Sequence, residues 1–255
     1  MGFILGCAVF CPMTETQFHK LSHTGKLAYQ FATGLGPTLV FLPGYMSDMA
    51  GGKAQAVLAW AQDNNRACLL LDYSGCGHSD GQFADGSLGQ WRDEVLALID
   101  HITGGPVVLI GSSMGGWLML LIALVIPTRI AALVGIAAAP DFTSWGYPAD
   151  LRDKLAAGET VYEANPYGPE PTPTHAKFWA DGQQNLLLHG KIPLNCPVRL
   201  IHGQADTDVP HTISLTLAAQ LCSDEVQVTL IKDGDHRLSR PQDLAVILDQ
   251  IACLG

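Results

Sequence analysis

The sequence predicts an α/β protein, with a mostly parallel central sheet, helices on both of its faces and a small helical insertion. Three observations predict it. Short apolar runs of strand length alternate with helix-periodic stretches through most of the 255 residues, the rhythm of a parallel sheet covered on both sides. Near the middle, residues 107–126 (VVLIGSSMGGWLMLLIALVI) read as a buried strand, a glycine-flanked turn and a long apolar helix. Between residues 140 and 193 the alternation breaks and Pro, Gly, Trp and Tyr accumulate, as expected of an insertion covering one edge.

Residues 1–13 read as a lead-in without regular structure. Residues 17–31 read as a hairpin turning at Thr24-Gly25, and 38–42 as a buried strand ending in Pro43-Gly44. A helix over 53–64 and a strand over 67–71 follow, then a loop over 72–80 and an amphipathic helix over 87–102. The loop has a G-x-G spacing but no third glycine and no helix opening on it, which excludes a dinucleotide site. After the central strand and helix comes a strand at 131–137. The interrupting segment carries two weak helical stretches, near 148–157 and 174–188. The alternation resumes with strands at 198–202 and 226–232 and helices at 212–221 and 241–253. The expected organisation is a core of 14–139 and 194–255 with a lid of 140–193. Nothing repeats internally.

Composition narrows the function. Only 15% of residues are charged and the formal net charge is −10, which argues against nucleic acid, because tracking phosphates needs clustered Lys and Arg. The seven cysteines are scattered, so a disulfide framework is not expected and a reducing compartment is. Cys7 and Cys11 lack further ligands at a zinc-site spacing, and no metal site is read. Ile4-Leu5-Gly6-Cys7 resembles a lipoprotein cleavage box without its basic start, and Met13 is an alternative first residue. With no signal peptide, presequence or membrane span evident, the expected location is cytoplasmic.

The chemistry centres on Gly111-Ser112-Ser113-Met114-Gly115, a G-x-S-x-G pattern between a strand and a helix. A serine at the apex of so tight a turn sits in a strained backbone, its neighbours two residues away must lack Cβ, and its hydroxyl is held over the sheet edge. The plainer alternative makes the glycines packing residues and the serines helix caps. A serine hydroxyl is a weak nucleophile until a base takes its proton, so the pattern requires a histidine and an acid to orient it. Two strand ends downstream offer them: Gly203-Gln-Ala-Asp206-Thr-Asp208 and Asp233-Gly-Asp235-His236. In a parallel sheet both loops emerge on the edge that carries Ser113. Asp208 lies nearer a helix start, where Asp is often a cap, and Asp233 and Asp235 are further candidates. His78, His202 and His211 lie near the same edge and read as hydrogen-bonded structural residues.

Together with Leu42-Pro-Gly-Tyr45, Asp72-Tyr-Ser-Gly-x-Gly-x-Ser-Asp-Gly81 and His202-Gly-x-x-Asp-x-x-Val-Pro210, these motifs resemble the α/β-hydrolase fold family from about residue 16 onward. Within it, Gly111-Ser-Ser-x-Gly-Gly-Trp-Leu-Met119 and Asn195-Cys-Pro-Val-Arg-Leu-Ile-His-Gly203 are similar to the group of mitochondrial palmitoyl-protein thioesterases that also cleave acyl glucuronides. The resemblance implies serine-dependent ester or thioester hydrolysis without a cofactor. It makes Ser113 the nucleophile, His236 the base and Asp206 the orienting acid, with the backbone N–H groups of Tyr45 and Met114 as oxyanion donors. Many members carry His-Gly where this chain has Pro43-Gly44. The expected partner is a small-molecule ester or acyl thioester, or an acylated protein. Trp145, Tyr147, Tyr162, Tyr167 and Trp179 are candidates to line an acyl pocket. Two alternatives stand beside this reading: C–C bond hydrolysis or acyl transfer by the same triad, and a ligand-binding protein without turnover.

Overall fold

The computed structural model describes residues 14–21, 25–166 and 168–254. The lead-in with Cys7, Cys11 and Met13, the turn residue Thr24 and the pocket candidate Tyr167 lie outside the described residues.

The antiparallel hairpin β1 (Gln17–Leu21) and β2 (Gly25–Ala32) opens the chain, and β2 pairs antiparallel with β4 (Arg66–Leu71). All further neighbours in the main sheet are parallel: β3 (Leu35–Leu42), β5 (Val107–Ser112), β6 (Ile130–Ile136), β9 (Val198–Gly203) and β10 (Val226–Ile231). Their order is β1-β2-β4-β3-β5-β6-β9-β10. The crossovers are helical: α1 (Gly52–Asp63) between β3 and β4, α2 (Leu88–Ile102) before β5, α3 (Met114–Val125) after it, and α7 (Thr212–Gln220) between β9 and β10. The helix α8 (Pro241–Ala252) closes the chain.

The period of two along each strand divides the core. Val108 and Ile110 of β5 face the side covered by Ala54, Val57 and Leu58 of α1 and by Ile247 and Ile251 of α8. Val107 and Leu109 face the side covered by Leu88, Trp91 and Val95 of α2 and by α3. Strands buried on both faces read as unbroken apolar runs, which is why β5 carries VVLI. Residues 114–123 of α3 are all buried, because α2, the sheet and the inserted segment surround the helix.

Between β6 and β9 the chain leaves the sheet. It forms α4 (Phe142–Trp145), α5 (Ala149–Ala156), a ribbon of β7 (Val161–Glu163) and β8 (Thr172–Thr174), and α6 (Ala176–Gln184). The sequence stretches near 148–157 and 174–188 correspond to α5 and α6; α4 and the ribbon carry no periodic signal. Buried Asp141 anchors the segment by accepting from Leu187 N at 2.9 Å and Leu188 N at 2.7 Å, and Trp117 Nε1 donates to Asn185 O at 3.0 Å.

Register places the functional loops. Gly111 of β5 pairs with Leu42 of β3 and Gly135 of β6, and Gly203 of β9 pairs with Ile231 of β10. The turns after these strands therefore emerge side by side on one edge, carrying Tyr45, Ser113, Asp206 and His236.

Candidate active site

Ser113 sits between β5 and α3 with φ 53° and ψ −119°, a conformation that costs a non-glycine residue roughly 1–3 kcal/mol. It is locked there by Ser113 N donating to Ile136 O (2.9 Å) and Ala139 N donating to Ser113 O (3.0 Å). A Cβ on Gly111 would stand 2.3 Å from Gly115 O, and one on Gly115 would stand 2.1 Å from Leu42 O, so the G-x-S-x-G spacing reflects backbone against backbone. No side chain caps α3, which disposes of the helix-capping alternative and leaves the first N–H of the helix, that of Met114, uncapped by any side chain.

His236, on the loop after β10, faces Ser113 Oγ through Nε2 at 3.1 Å and Asp206 Oδ2 through Nδ1 at 2.8 Å. A carboxylate has no proton to give, so Nδ1 donates and Nε2 is free to accept from the serine hydroxyl. The Asp206 side chain has no solvent exposure, while that of His236 is 15% exposed. Asp206 Oδ1 accepts from the amides of Asp208 (2.9 Å) and Val209 (2.8 Å), and Oδ2 also faces His202 Nε2 at 3.1 Å. Burial alone would raise this carboxyl, but the hydrogen bonds from His202 and His236, the electrostatic pull of His236 and the Val209 amide outweigh it. They hold Asp206 well below the usual carboxylate range.

The rival acids are placed elsewhere. Asp208 is exposed on the cavity wall and does not cap α7, whose N-cap His211 makes no side-chain cap. Asp235 accepts from Leu238 N at 2.9 Å, and Asp233 is exposed in a left-handed conformation. His78 donates its amide to Asp72. Among the described residues no cluster of His, Cys, Asp or Glu has the makings of a metal site, and no helix is long and apolar enough to cross a membrane. The cysteines described, Cys68, Cys76, Cys196, Cys222 and Cys253, are free.

The loop after β3 is held from several sides. Tyr73 Oη donates to Pro43 O (3.0 Å), and Asp72 Oδ1 accepts from Met49 N (2.7 Å) while its Oδ2 accepts from His78 N (2.8 Å). Burial pushes the Asp72 carboxyl up, against the pull of these amides. Asp72→Asn puts an NH2 group where one of the two amides needs an acceptor. The expected cost is about 3 kcal/mol, a fall of roughly 6–12 °C in Tm by thermal denaturation. Sequence reasoning missed the second role of Tyr45: its hydroxyl donates to Pro173 O of the ribbon at 3.0 Å, and its ring packs on Phe83, Phe142 and Phe178. Nothing local signals a bond to a residue so far along the chain.

These groups open on a cavity of about 820 Å³, whose wall includes Ser113, His236, Tyr45, Phe142, Trp145 and Tyr147. Of the expected aromatic lining, Trp145 and Tyr147 are there. Tyr162 is 64% exposed, and Trp179 packs among Tyr147, Leu155 and Val161 with its indole N–H on Thr143 O. The cavity wall also carries Lys53, whose ammonium burial pushes down to about 8 against the opposing influence of Asp235 and Asp206. A file of hydroxyl, imidazole and buried carboxylate is able to move a proton from serine Oγ to Nε2.

The chain belongs to the α/β hydrolase fold family, whose model matches residues 37–167, and it is a hydrolase. It is 37% identical over 239 residues to the mitochondrial palmitoyl-protein thioesterase ABHD10 of Homo sapiens, covering 92% of this chain and 78% of that protein. The solved structure of mouse alpha/beta hydrolase domain-containing protein 10 superposes with a TM-score of 0.87 at 36% identity, over 94% of this chain and 98% of that one. A putative hydrolase from Agrobacterium vitis S4 gives a TM-score of 0.88, also at 36% identity and with the same coverage. The palmitoyl-protein thioesterase of Homo sapiens is named as mitochondrial, and this overturns the cytoplasmic expectation. The physical reason is that a cellular address is read from separable targeting segments, on which the hydrolase core places no constraint.

Proposed function

We propose that this hydrolase cleaves acyl thioesters and carboxylic esters through a serine-bound acyl intermediate. The observation that carries the reading is the contact of His236 with both Ser113 Oγ and buried Asp206, at the wall of a cavity large enough for an acyl chain. The names of the relatives, palmitoyl-protein thioesterases, support the thioester class.

Ser113 Oγ attacks the acyl carbonyl carbon as its proton passes to His236 Nε2. The carbonyl oxygen becomes an oxyanion, held by the N–H groups of Tyr45 and Met114, the latter at the positive end of α3. Collapse breaks the bond to the leaving sulfur or oxygen, which takes the proton from His236, and leaves the acyl group on Ser113. Water then enters, gives a proton to His236 and attacks the acyl carbon; the second collapse returns the proton to Ser113 and releases the acid. Asp206 keeps its negative charge throughout and holds the His236 tautomer. Residues 140–193 act as the lid, contributing Phe142, Trp145 and Tyr147 to the acyl side of the cavity.

The test is a chain-length series of nitrophenyl esters and matching acyl thioesters, run on wild type and on Ser113→Ala. A serine-dependent rate that peaks at long acyl thioesters supports the proposal. A peak at short esters keeps the serine mechanism but removes the thioester part of the proposal and makes the protein a small-molecule esterase. No turnover in either series, with no labelling of Ser113 by a fluorophosphonate, moves it to the class of binding proteins.

A further inference from the structure

The proposed mechanism leaves one histidine at the site without a role. His202 is the penultimate residue of β9, in the His202-Gly-x-x-Asp206 string, and its side chain has no solvent exposure. Its Nε2 lies 3.1 Å from Asp206 Oδ2 and 3.0 Å from Val209 O, and its Nδ1 lies 2.7 Å from Oγ of buried Ser214 on α7. Carbonyl and carboxylate oxygens only accept, so Nε2 carries a proton and donates; in the neutral ring Nδ1 accepts from the Ser214 hydroxyl. Ser214, His202, Asp206, His236 and Ser113 thus form one continuous chain of hydrogen bonds from α7 to the cavity.

We propose that His202 is a positioning residue for the hydrolysis, holding the Asp206 carboxylate in orientation and moderating the charge it presents to His236. The inference rests on the catalytic reading of Asp206. Oδ1 of that carboxylate is occupied by two backbone amides, which no side-chain change can tune. Oδ2 is the atom that His236 uses, and His202 is the other side chain donating to it. What His202 withdraws from Oδ2 is therefore unavailable to His236. A ring with two diverging nitrogens spans the distance from α7 to the acid loop, so α7 buttresses the triad from behind. The other charged or titratable groups around the carboxylate are Lys53 on α1, Asp208 on its own loop, and Asp235 and Arg237 beside His236. All of them are unchanged in the variants below.

Two substitutions separate the functions of the ring. The amide of Asn reaches the position of Nδ1 and that of Gln the position of Nε2, so His202→Asn loses the donor to Asp206 while His202→Gln keeps one. With a nitrophenyl ester, His202→Asn is expected to lower kcat on the order of tenfold with KM nearly unchanged. The acidic limb of its kcat/KM profile moves to higher pH, because Asp206 with one donor fewer holds the proton on His236 more tightly. His202→Gln recovers most of kcat and the wild-type limb. If the two variants lose activity equally, in step with their loss of Tm and with the limb unmoved, His202 is a packing residue and the inference is overturned. Should His202→Asn not fold, Ser214→Ala tests the same link. It is expected to displace the limb in the same direction, and wild-type kcat with a wild-type limb overturns the inference. Asp206→Asn runs in parallel: full activity there removes the triad reading and this inference with it. An inactive Asp206→Asn beside an unaltered His202→Asn removes this inference alone.

Discussion

Alanine at Ser113 or at His236 is expected to lower kcat for an acyl thioester by about 10⁴- to 10⁶-fold, a loss of roughly 5–8 kcal/mol in transition-state stabilisation. The reason is the geometry of a single proton path. Oγ and Nε2 stand 3.1 Å apart, so neither residue activates anything without the other. The double variant should therefore cost no more than either single one, since groups that act as a unit are not additive. Asp206→Asn should fall by about 10⁴-fold for a different reason: an amide NH2 facing Nδ1 favours the wrong tautomer of His236. What survives in all of them is binding and the two proposed backbone N–H donors, so KM should change little. Ser113→Ala retains a Cβ at φ 53° and hence the strain, so its Tm should stay near wild type. Steady-state kinetics beside thermal denaturation checks this. A folded Ser113→Ala with wild-type turnover would end the proposed mechanism.

How much of this is legible in the sequence depends on how local the determinant is. The strand at 107–110 and the turn glycines at 111 and 115 announce themselves, because burial on both faces and close backbone approach each demand particular residue types over a few positions. The loop ends that carry Asp206 and His236 follow from strand alternation alone, since parallel strands must end on one edge. The choice between Asp206 and Asp208 does not follow from alternation, because both carboxylates lie on one loop. The motif resemblance singles out Asp206, and it is the Asp206 side chain that makes the 2.8 Å contact with His236. The ribbon of β7 and β8 is illegible for another reason. Its strands are three residues long, pair only with each other and include Pro173, so no period of two can develop. Tyr45 shows the same limit. Its backbone position in a Pro-Gly-Tyr turn is readable, whereas its hydroxyl bond to Pro173 depends on tertiary packing. The cytoplasmic expectation went wrong because it was drawn from finding no recognisable targeting signal. The fold, which places no constraint on a cellular address, offered nothing to correct it; the thioesterase relatives are named mitochondrial.

Gly115→Ala sets two effects of opposite sign against each other, and their sizes decide the outcome. Gly115 is the second residue of α3, and alanine in a helix interior is favoured over glycine by about 1 kcal/mol, so propensity alone promises a gain. Yet the new methyl would lie 2.1 Å from Leu42 O and 2.6 Å from Pro43 O. Both are backbone atoms at the end of β3, which has no rotamer through which to retreat. Relief requires α3 to back away from β3, and that movement carries Ser113 and Met114 on one side and the Pro43–Tyr45 turn on the other. Overpacking of this kind costs about 3 kcal/mol or more, which outweighs the propensity gain and lowers Tm by roughly 4–8 °C on balance. The same displacement separates the two proposed oxyanion donors, so kcat should fall further than stability alone explains, with KM less affected. Gly104→Ala is the control, because a Cβ there meets nothing within 4 Å and should leave both Tm and kcat close to wild type. If Gly115→Ala instead melts above wild type, helix propensity has prevailed and the approach of β3 to α3 is looser than a 2.1 Å contact allows. The G-x-S-x-G spacing would then serve the backbone conformation of Ser113 rather than the close contact between strand and helix.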